Sequence, residues 1–426
     1  MRNLRNLTLV GILSAATPAL AQTDAATEIA ALRSEIGRLA ERLDRLEQAQ
    51  GGTVAAVAQA TQVPQTAPAD RSTPAPGSAS PAAAGPPKAS ADAPASSVVR
   101  FSGDLRYRHE AINDEASAER ERQRIRARFG LNADLGDNLS VGLTLATGDR
   151  DPVSANQTLD GGFDRKSFGV DRAFFTWKAT DALSFTGGKM ATPFFRPGNH
   201  HLIYDNDLNP EGLALRYTGR NWFANYAGLW VDERATADDA ILLGGQAGLR
   251  HTLQNGARIT AGVSYYDYLN TQGQPLFVEG ISSGNSLDAA GRYLNDYNEA
   301  ELFAELGLKA GSRPLVLFAD YVVNTEASAA DDGFAIGAAY GEATRPGTWR
   351  VGYAYQDLRA DAVIGVFTDS DFGGGGTDNK GHVVEFTYAL RARLLFNFRY
   401  FLNERGEHAG VSRDYNRLQA DLMFNY

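Results

Sequence analysis

Residues 120–129 read RERQRIRARF, a stretch in which every second residue is an arginine. On an α-helix, alternate residues lie about 200° apart, so these arginines would scatter around the cylinder. On a β-strand they share one face, and the opposite face carries Ile125, Ala127 and Phe129. The stretch therefore predicts a strand with one strongly cationic face and one increasingly apolar face. The cationic face consists of Arg120, Arg122, Arg124, Arg126 and Arg128.

The same period of two recurs through the rest of residues 98–426. Apolar residues alternate with polar or small ones at 139–145, 173–177, 259–265 and 300–308. About sixteen such segments can be counted, which leaves roughly 20 residues for each strand with its connection. This part of the chain is therefore predicted to consist of strands.

The connections between these segments alternate in length. Short ones include 136–138, 219–221 and 254–256, whereas long ones cover roughly 191–210 and 358–380. Outer-membrane barrels have short periplasmic turns and longer external loops in this order. A soluble sandwich would bury its apolar faces against a second sheet and would show no such alternation. The sequence thus predicts an all-β fold, a transmembrane antiparallel up-and-down β-barrel.

A different kind of sequence precedes the barrel domain at 98–426. Residues 1–21 have a positive start, a short apolar run and a small-residue cleavage site, which predicts a signal peptide. Residues 22–50 carry three heptads with apolar a and d positions, which predicts a short α-helical coiled coil. A dimer and a trimer both stay open for this helix, with the trimer favoured. The alanine- and proline-rich residues 51–97 predict a disordered linker.

The composition narrows the classes of function. A formal charge of −10 argues against a nucleic-acid-binding protein, and the lack of cysteine excludes disulfides and thiolate chemistry. His200 and His201 are the only adjacent pair among six histidines, and neighbouring residues on an extended loop rarely form a metal site alone. No histidine has a serine partner at motif spacing, so we expect no enzyme, no cofactor and no metal.

In a barrel, the cationic face of residues 120–128 would line a water-filled lumen. Five arginines at alternate positions span about 27 Å, close to the height of the apolar band. On the preceding segment, Arg106 and Arg108 share that face with Asp104 and Glu110. Two interpretations stay open. The arginines either form a selective wall, with Arg124, Arg126 and Arg128 at its centre, or keep the wall wetted and pair with carboxylates.

One long loop combines packing residues with charges. The stretch ATPFFRPGNHHLIYDNDLNPEGLAL (191–215) could fold into the lumen as a constriction or form an external lid with solvated charges. The constriction is favoured because Phe194, Phe195, Leu202 and Tyr204 accompany the charged groups. Its candidate residues are Arg196, Asp205, Asp207 and Glu211.

The stretches DRAFFTWKATDALSFTGGKMATPFF (171–195) and DNDLNPEGLAL (205–215) resemble the putative porin family of Gram-negative outer membranes. The final LQADLMFNY is similar to the C-terminal signal that the barrel assembly machinery reads. The resemblance implies a passive, homotrimeric channel for small hydrophilic solutes, surrounded by outer-membrane lipids. The arginine ladder is also similar to that of phosphate-selective porins, which implies a preference for anions. The six lysines and the negative net charge depart from the phosphate-selective pattern.

A second class of function is compatible with the first. The predicted coiled coil and linker would lie in the periplasm, where they could tether the outer membrane to peptidoglycan with the barrel as anchor. Deleting residues 22–97 separates the two functions, because a porin would still conduct whereas a tether would lose its association with the cell wall.

Overall fold

The computed structural model describes residues 98–426, which form one antiparallel sheet of seventeen strands. The strands are β1 (Val98–Asp114), β2 (Arg120–Gly136), β3 (Leu139–Thr147), β4 (Gln157–Thr158), β5 (Phe168–Lys178), β6 (Leu183–Lys189), β7 (Glu211–Thr218), β8 (Trp222–Asp232), β9 (Ala240–Thr252), β10 (Arg258–Leu269), β11 (Tyr297–Ala310), β12 (Arg313–Asn324), β13 (Asp332–Gly341), β14 (Trp349–Leu358), β15 (Asn379–Arg391), β16 (Leu394–Arg405) and β17 (Arg413–Asn425). The predicted signal peptide, coiled coil and linker lie outside the described residues.

The sheet closes on itself because β1 pairs with both β2 and β17. Each other long strand pairs with its neighbours in sequence, so sixteen strands form an up-and-down barrel. The two-residue β4 belongs to the connection after β3 and pairs with β2 at Arg124 and Ile125. The predicted barrel and its approximate strand number are confirmed.

Side chains alternate between the two faces of the barrel wall. Phe101, Val263 and Leu302 are exposed on the outer face, as expected for residues that meet lipid. Their sequence neighbours point inward and are more buried, such as Ser264 and Phe303. The period of two in the sequence therefore sets the register in which the polar face turns inward.

Short turns and long loops lie at opposite ends of the barrel, and three of the long loops contribute to its buried core. We call them loop A (190–210), loop B (270–296) and loop C (359–378). Loop residues such as Leu202, Tyr204 and Val363 are buried in one apolar cluster with inward-facing strand residues such as Tyr266 and Ala335. The interior is thus filled on the side of β8–β13, where buried acids such as Glu299, Glu301 and Asp320 lie beside the apolar cluster.

Helical structure in residues 98–426 is limited to three single 3-10 turns, at Pro197–Asn199, Gly365–Phe367 and Phe372–Gly374. Within that range, no helix is both long and apolar enough to cross a membrane.

Candidate functional site: an arginine wall inside the barrel

Three neighbouring strands place seven arginines together on the inner face. The pairing registers set Arg106 opposite Arg126 and Arg108 opposite Arg124 on β1 and β2, and Arg108 opposite Asp421 on β17. Alternate residues of these strands, such as Leu105 and Phe129, are exposed on the outer face. We call the inner set the arginine wall: Arg106, Arg108, Arg122, Arg124, Arg126, Arg128 and Arg417.

Carboxylates of the same strands neutralise part of the arginine wall. Asp421 accepts two hydrogen bonds from Arg108, with Nε–Oδ1 and Nη2–Oδ2 distances of 2.7 and 2.9 Å. Asp104 accepts from Arg126 at 2.9 Å and from Arg128 at 2.6 Å. Charge-assisted pairs of this geometry are stronger than neutral hydrogen bonds, so the guanidinium planes are held in fixed orientations.

Glu110 has no exposed surface and joins β1, β2 and β17. It forms ion pairs with Arg122 and Arg417, and the Arg417 Nε donates to it over 2.9 Å. The Gln419 side-chain amide donates to the same carboxylate over 3.0 Å. This carboxylate therefore binds two arginines of the wall at once.

Two carboxylates of the inserted loops complete the set. Asp207 of loop A accepts from Arg126 and Arg128 at 3.3 and 3.4 Å. Burial raises the pKa of this carboxyl, but the facing guanidinium groups outweigh burial and leave the pKa below its usual value. Asp207 is therefore an ionised partner of the wall at neutral pH.

Asp371 of loop C is the second of these loop carboxylates. It lies 3.1 Å from Arg108 and 2.7 Å from Arg417. Burial again opposes ionisation, and Arg417 and Arg108 nevertheless hold the pKa of Asp371 well below the ordinary value. Loop C thus binds the arginine wall at the seam between β1 and β17.

The inner face opposite the arginine wall is acidic and binds loop backbone. The Gly198 N–H donates to Glu305 over 2.8 Å, and the Ile364 N–H donates to Glu299 over 3.1 Å. Gln246 on β9 accepts from the Phe195 N–H at 2.7 Å. The two sides of the lumen thus bind the loops differently. Acids on β11 accept hydrogen bonds from the loop backbone, and arginines on β1, β2 and β17 form ion pairs with the loop carboxylates.

Loops A and C are joined to each other at Asp205. Its N–H donates to the Phe367 carbonyl over 2.8 Å, and its carboxylate accepts from the N–H groups of Ser370 at 2.9 Å and of Asp207 at 2.7 Å. The side chain is only 5% exposed, and burial raises its pKa to about 7. The two loops therefore behave as one packed insert.

The adjacent histidines point to different partners. His200 hydrogen-bonds the Gln356 side chain at 2.9 Å, and burial lowers its pKa to about 4. His201 lies 3.6 Å from Asp369, and the ligand atoms of His201, Asp205 and Asp369 lie within 4.8 Å of one another. Of these groups, the His201 cluster has the donor set that could hold a divalent cation.

The remaining predicted site residues lie away from the arginine wall. Arg120 is exposed at the loop end of β2. Arg196 donates within loop A, to the Tyr204 carbonyl at 3.2 Å and to Asn206 at 2.9 Å. Glu211 is the exposed first residue of β7 and pairs with Lys189 at 3.0 Å. Asp205 and Asp207 are thus the candidate loop residues that the fold brings closest to the wall or to a second loop.

Sequence reasoning missed three members of the site. Arg417 and Asp421 lie on one face of the last segment, which the sequence predicts as a strand and whose end resembles an assembly signal, but neither residue is predicted to join the lumen site. Asp371 lies in TDSDFGGGG (368–376), an acidic and glycine-rich run in a connection that was treated as an external loop. The alternation of charges on β17 was a usable signal, whereas the inward course of loop C follows from tertiary packing.

Comparison with known proteins agrees with this architecture. Residues 106–289 and 295–426 match the family described as "Putative porin". A high-pH structure of OprB from Pseudomonas putida superimposes with a TM-score of 0.53 at 13% identity, covering 77% of this chain and 94% of that one. A triple mutant of the Rhodopseudomonas blastica porin superimposes with a TM-score of 0.48 at 10% identity, covering 77% of this chain and all of that one. At 13% identity the first likeness establishes the fold alone. No curated protein sequence matches the chain.

Proposed function

The chain belongs to the putative porin family, and from this premise we propose that it forms a water-filled pore for the passive diffusion of small hydrophilic solutes, with a preference for anions. The family and the closed barrel are those of an outer-membrane channel. Solutes would pass without energy coupling and would be chosen by pore size and lumen charge.

The excess of positive charge in the arginine wall carries the proposed preference for anions. Seven guanidinium groups face five carboxylates that lie within 4.0 Å of them, namely Asp104, Glu110, Asp207, Asp371 and Asp421. Two positive charges are left over in a confined region where the effective dielectric constant is lower than in bulk water. A wall of this sign concentrates anions along itself and repels cations.

Single-channel recording tests this proposal. We expect the purified protein in a planar bilayer to conduct in discrete steps, with a reversal potential under a KCl gradient that indicates chloride preference. In Arg124→Ala/Arg126→Ala this potential should move toward zero. Arg345→Ala, which removes an arginine from an exposed short turn, is the matched control and should leave the potential unchanged.

The outcomes of this recording are distinct. Cation selectivity that both variants retain would assign the field to the acidic residues and reject the anion preference. A chain that does not conduct would reject the pore.

The assembly of the channel is part of the same proposal. We propose a homotrimer in the lipids of the outer membrane, inserted by the barrel assembly machinery, with the N-terminal region in the periplasm. The tether to peptidoglycan rests on residues 22–97 and stays a separate proposal. Deleting them should abolish co-sedimentation with peptidoglycan while conductance is kept, and unchanged co-sedimentation would reject the tether.

A further inference from the structure

We propose that Arg106, Arg124 and Asn156 form a binding site for one small oxyanion, the carboxylate or phosphate group of a solute in transit. This inference rests on the proposed pore and specifies where within the arginine wall an anion would bind. Arg106 and Arg124 lack the hydrogen bonds to carboxylates that the other five arginines of the wall form.

Arg106 is nearly buried but incompletely paired. Its side chain belongs to a residue that is 9% exposed, and its Nε has no hydrogen-bond partner among residues 98–426. The closest carboxylate oxygen belongs to Asp421, at 3.9 Å from Nη1, which is beyond hydrogen-bonding distance. Its one side-chain hydrogen bond runs from Nη2 to the Asn156 side-chain oxygen over 2.5 Å. A buried guanidinium group with a neutral partner has donors left for an anion.

Arg124 also lacks hydrogen-bond partners for part of its guanidinium group. Within residues 98–426 it forms no ion pair shorter than 4.0 Å, and its buried Nε lacks a hydrogen-bond partner. Among residues 98–426, its one side-chain hydrogen bond runs from Nη2 to the Asn156 carbonyl over 3.4 Å. Arg106 and Arg124 thus share Asn156, and the register of β1 and β2 makes them diagonal neighbours.

The five other arginines of the wall each have a carboxylate partner at hydrogen-bonding distance. Asp104, Asp207, Asp371 and Asp421 each bind one or two of these five arginines, so they do not neutralise Arg106 and Arg124. The two excess positive charges therefore coincide with the two arginines whose donors are not satisfied. Leaving like charges adjacent and partly buried is unfavourable, and an anion between them removes that cost.

The N–H donors of the two arginines determine which kind of anion fits the site. A guanidinium group offers parallel N–H groups that match the two oxygens of a carboxylate or phosphate, whereas chloride is a single atom and has no second acceptor at that spacing. The Asn156 side chain is fixed by a 3.1 Å hydrogen bond from its Nδ2 to the Ser154 hydroxyl. An oxyanion should therefore bind more tightly than chloride and reduce the chloride current in a saturable way.

Competition between anions in single channels tests this site. Inorganic phosphate and acetate are titrated separately into the full chain conducting KCl, and the half-inhibiting concentration is recorded for each. We expect saturable inhibition that Arg106→Gln and Arg124→Gln weaken at least tenfold. Arg350→Gln is the matched control, since it removes one lumen arginine that is 3.0 Å from Glu385, and it should change the value less than twofold.

A second variant keeps the test decisive if an arginine variant does not fold. Asn156→Asp changes a loop residue and places a tethered carboxylate where the Asn156 side-chain oxygen meets Arg106, so it should abolish the saturable inhibition by occupying the site. Folding of each variant is checked by its heat-dependent shift in electrophoretic mobility.

The outcomes separate the site from the proposed pore. Inhibition by phosphate alone or by acetate alone identifies the source of the oxyanion, and inhibition by both supports the shared chemistry. A channel that is anion-selective but shows no saturation, or that loses it equally in Arg350→Gln, overturns the site while the pore stands. A chain without conductance overturns both.

Discussion

Arg108 on the first strand donates to Asp371, a loop residue 263 positions later, over an Nη1–Oδ2 distance of 3.1 Å. The same guanidinium group binds Asp421 on the last strand through two hydrogen bonds. One side chain therefore joins the barrel wall to an inserted loop. The charge balance of the lumen and the position of loop C are consequently linked.

Replacing Asp371 tests that link. We expect Asp371→Asn to raise the chloride preference, because one of the five carboxylates that offset the arginine wall is removed. The variant should also unfold with about 1–3 kcal/mol less free energy, since charged hydrogen bonds to Arg108 and Arg417 are lost. Asp288→Asn is the control for the reversal potential, because it removes a loop B carboxylate that pairs with Arg292 and not with the arginine wall. An unchanged potential would show that Asp371 does not contribute to the field.

Arg124 and Arg126 should differ in stability although they are neighbours on one face. Arg126 binds both Asp104 and Asp207, whereas Arg124 has no carboxylate partner within the described part of the chain. Arg126→Gln leaves two carboxylates with one arginine fewer and should cost about 1–3 kcal/mol, but Arg124→Gln should cost less than about 1 kcal/mol. Denaturant unfolding of the two proteins measures the difference. Equal losses would contradict the pairing that distinguishes them.

Gly198 is the point at which loop A approaches the far wall. Its φ of 63° lies in the left-handed region, and an added Cβ would overlap the Phe318 ring on β12. We expect Gly198→Ala to displace loop A and to increase the single-channel conductance. Gly347→Ala is the matched control, because φ is 83° there and nothing lies within 4 Å of an added Cβ. If both variants conduct like the parent, loop A does not limit the current.

Asp205 makes stability depend on pH. Burial raises the pKa of its carboxyl from 3.8 to about 7, so the folded state favours the neutral acid. Its contribution is fully present below pH 3.8 and is lost as the pH rises through about 7. Relative to Asp205→Asn, the thermal stability of the parent should therefore fall as the pH rises from about 4 to about 7.

The surroundings of Asp205 and a second variant give the control for this pH dependence. Asp207 and Asp369 have pKa values below the ordinary one, so both stay ionised over that interval, while His201 is the neighbouring base. Asp288→Asn should show no such drift, because backbone hydrogen bonds hold the pKa of Asp288 below its usual value. A parallel drift in both variants would assign the pH dependence to other groups.

The sequence predicted the barrel well because period-two alternation and loop length are local properties. The inward direction of Arg106, Arg108 and the ladder from Arg122 to Arg128 followed from the same alternation. The carboxylate partners of these arginines could not be predicted from the alternation. Asp421 reaches Arg108 only because the sheet closes, and Asp371 reaches it only because loop C turns inward. The distinction between Arg124 and Arg126 is likewise invisible in RERQRIRARF, where the two residues occupy equivalent positions.

The pairing of β1 with β17 also determines when the charged site can exist during folding. Arg108 and Asp421 are 313 positions apart, and Glu110 meets Arg417 across the same seam. Until β17 pairs with β1, Arg108 lacks its partner Asp421 and Glu110 has Arg122 but lacks Arg417. Such non-local contacts form late because the intervening chain must be ordered first. These ion pairs therefore stabilise only the closed ring, and they contribute nothing to a sheet whose first and last strands have not yet paired.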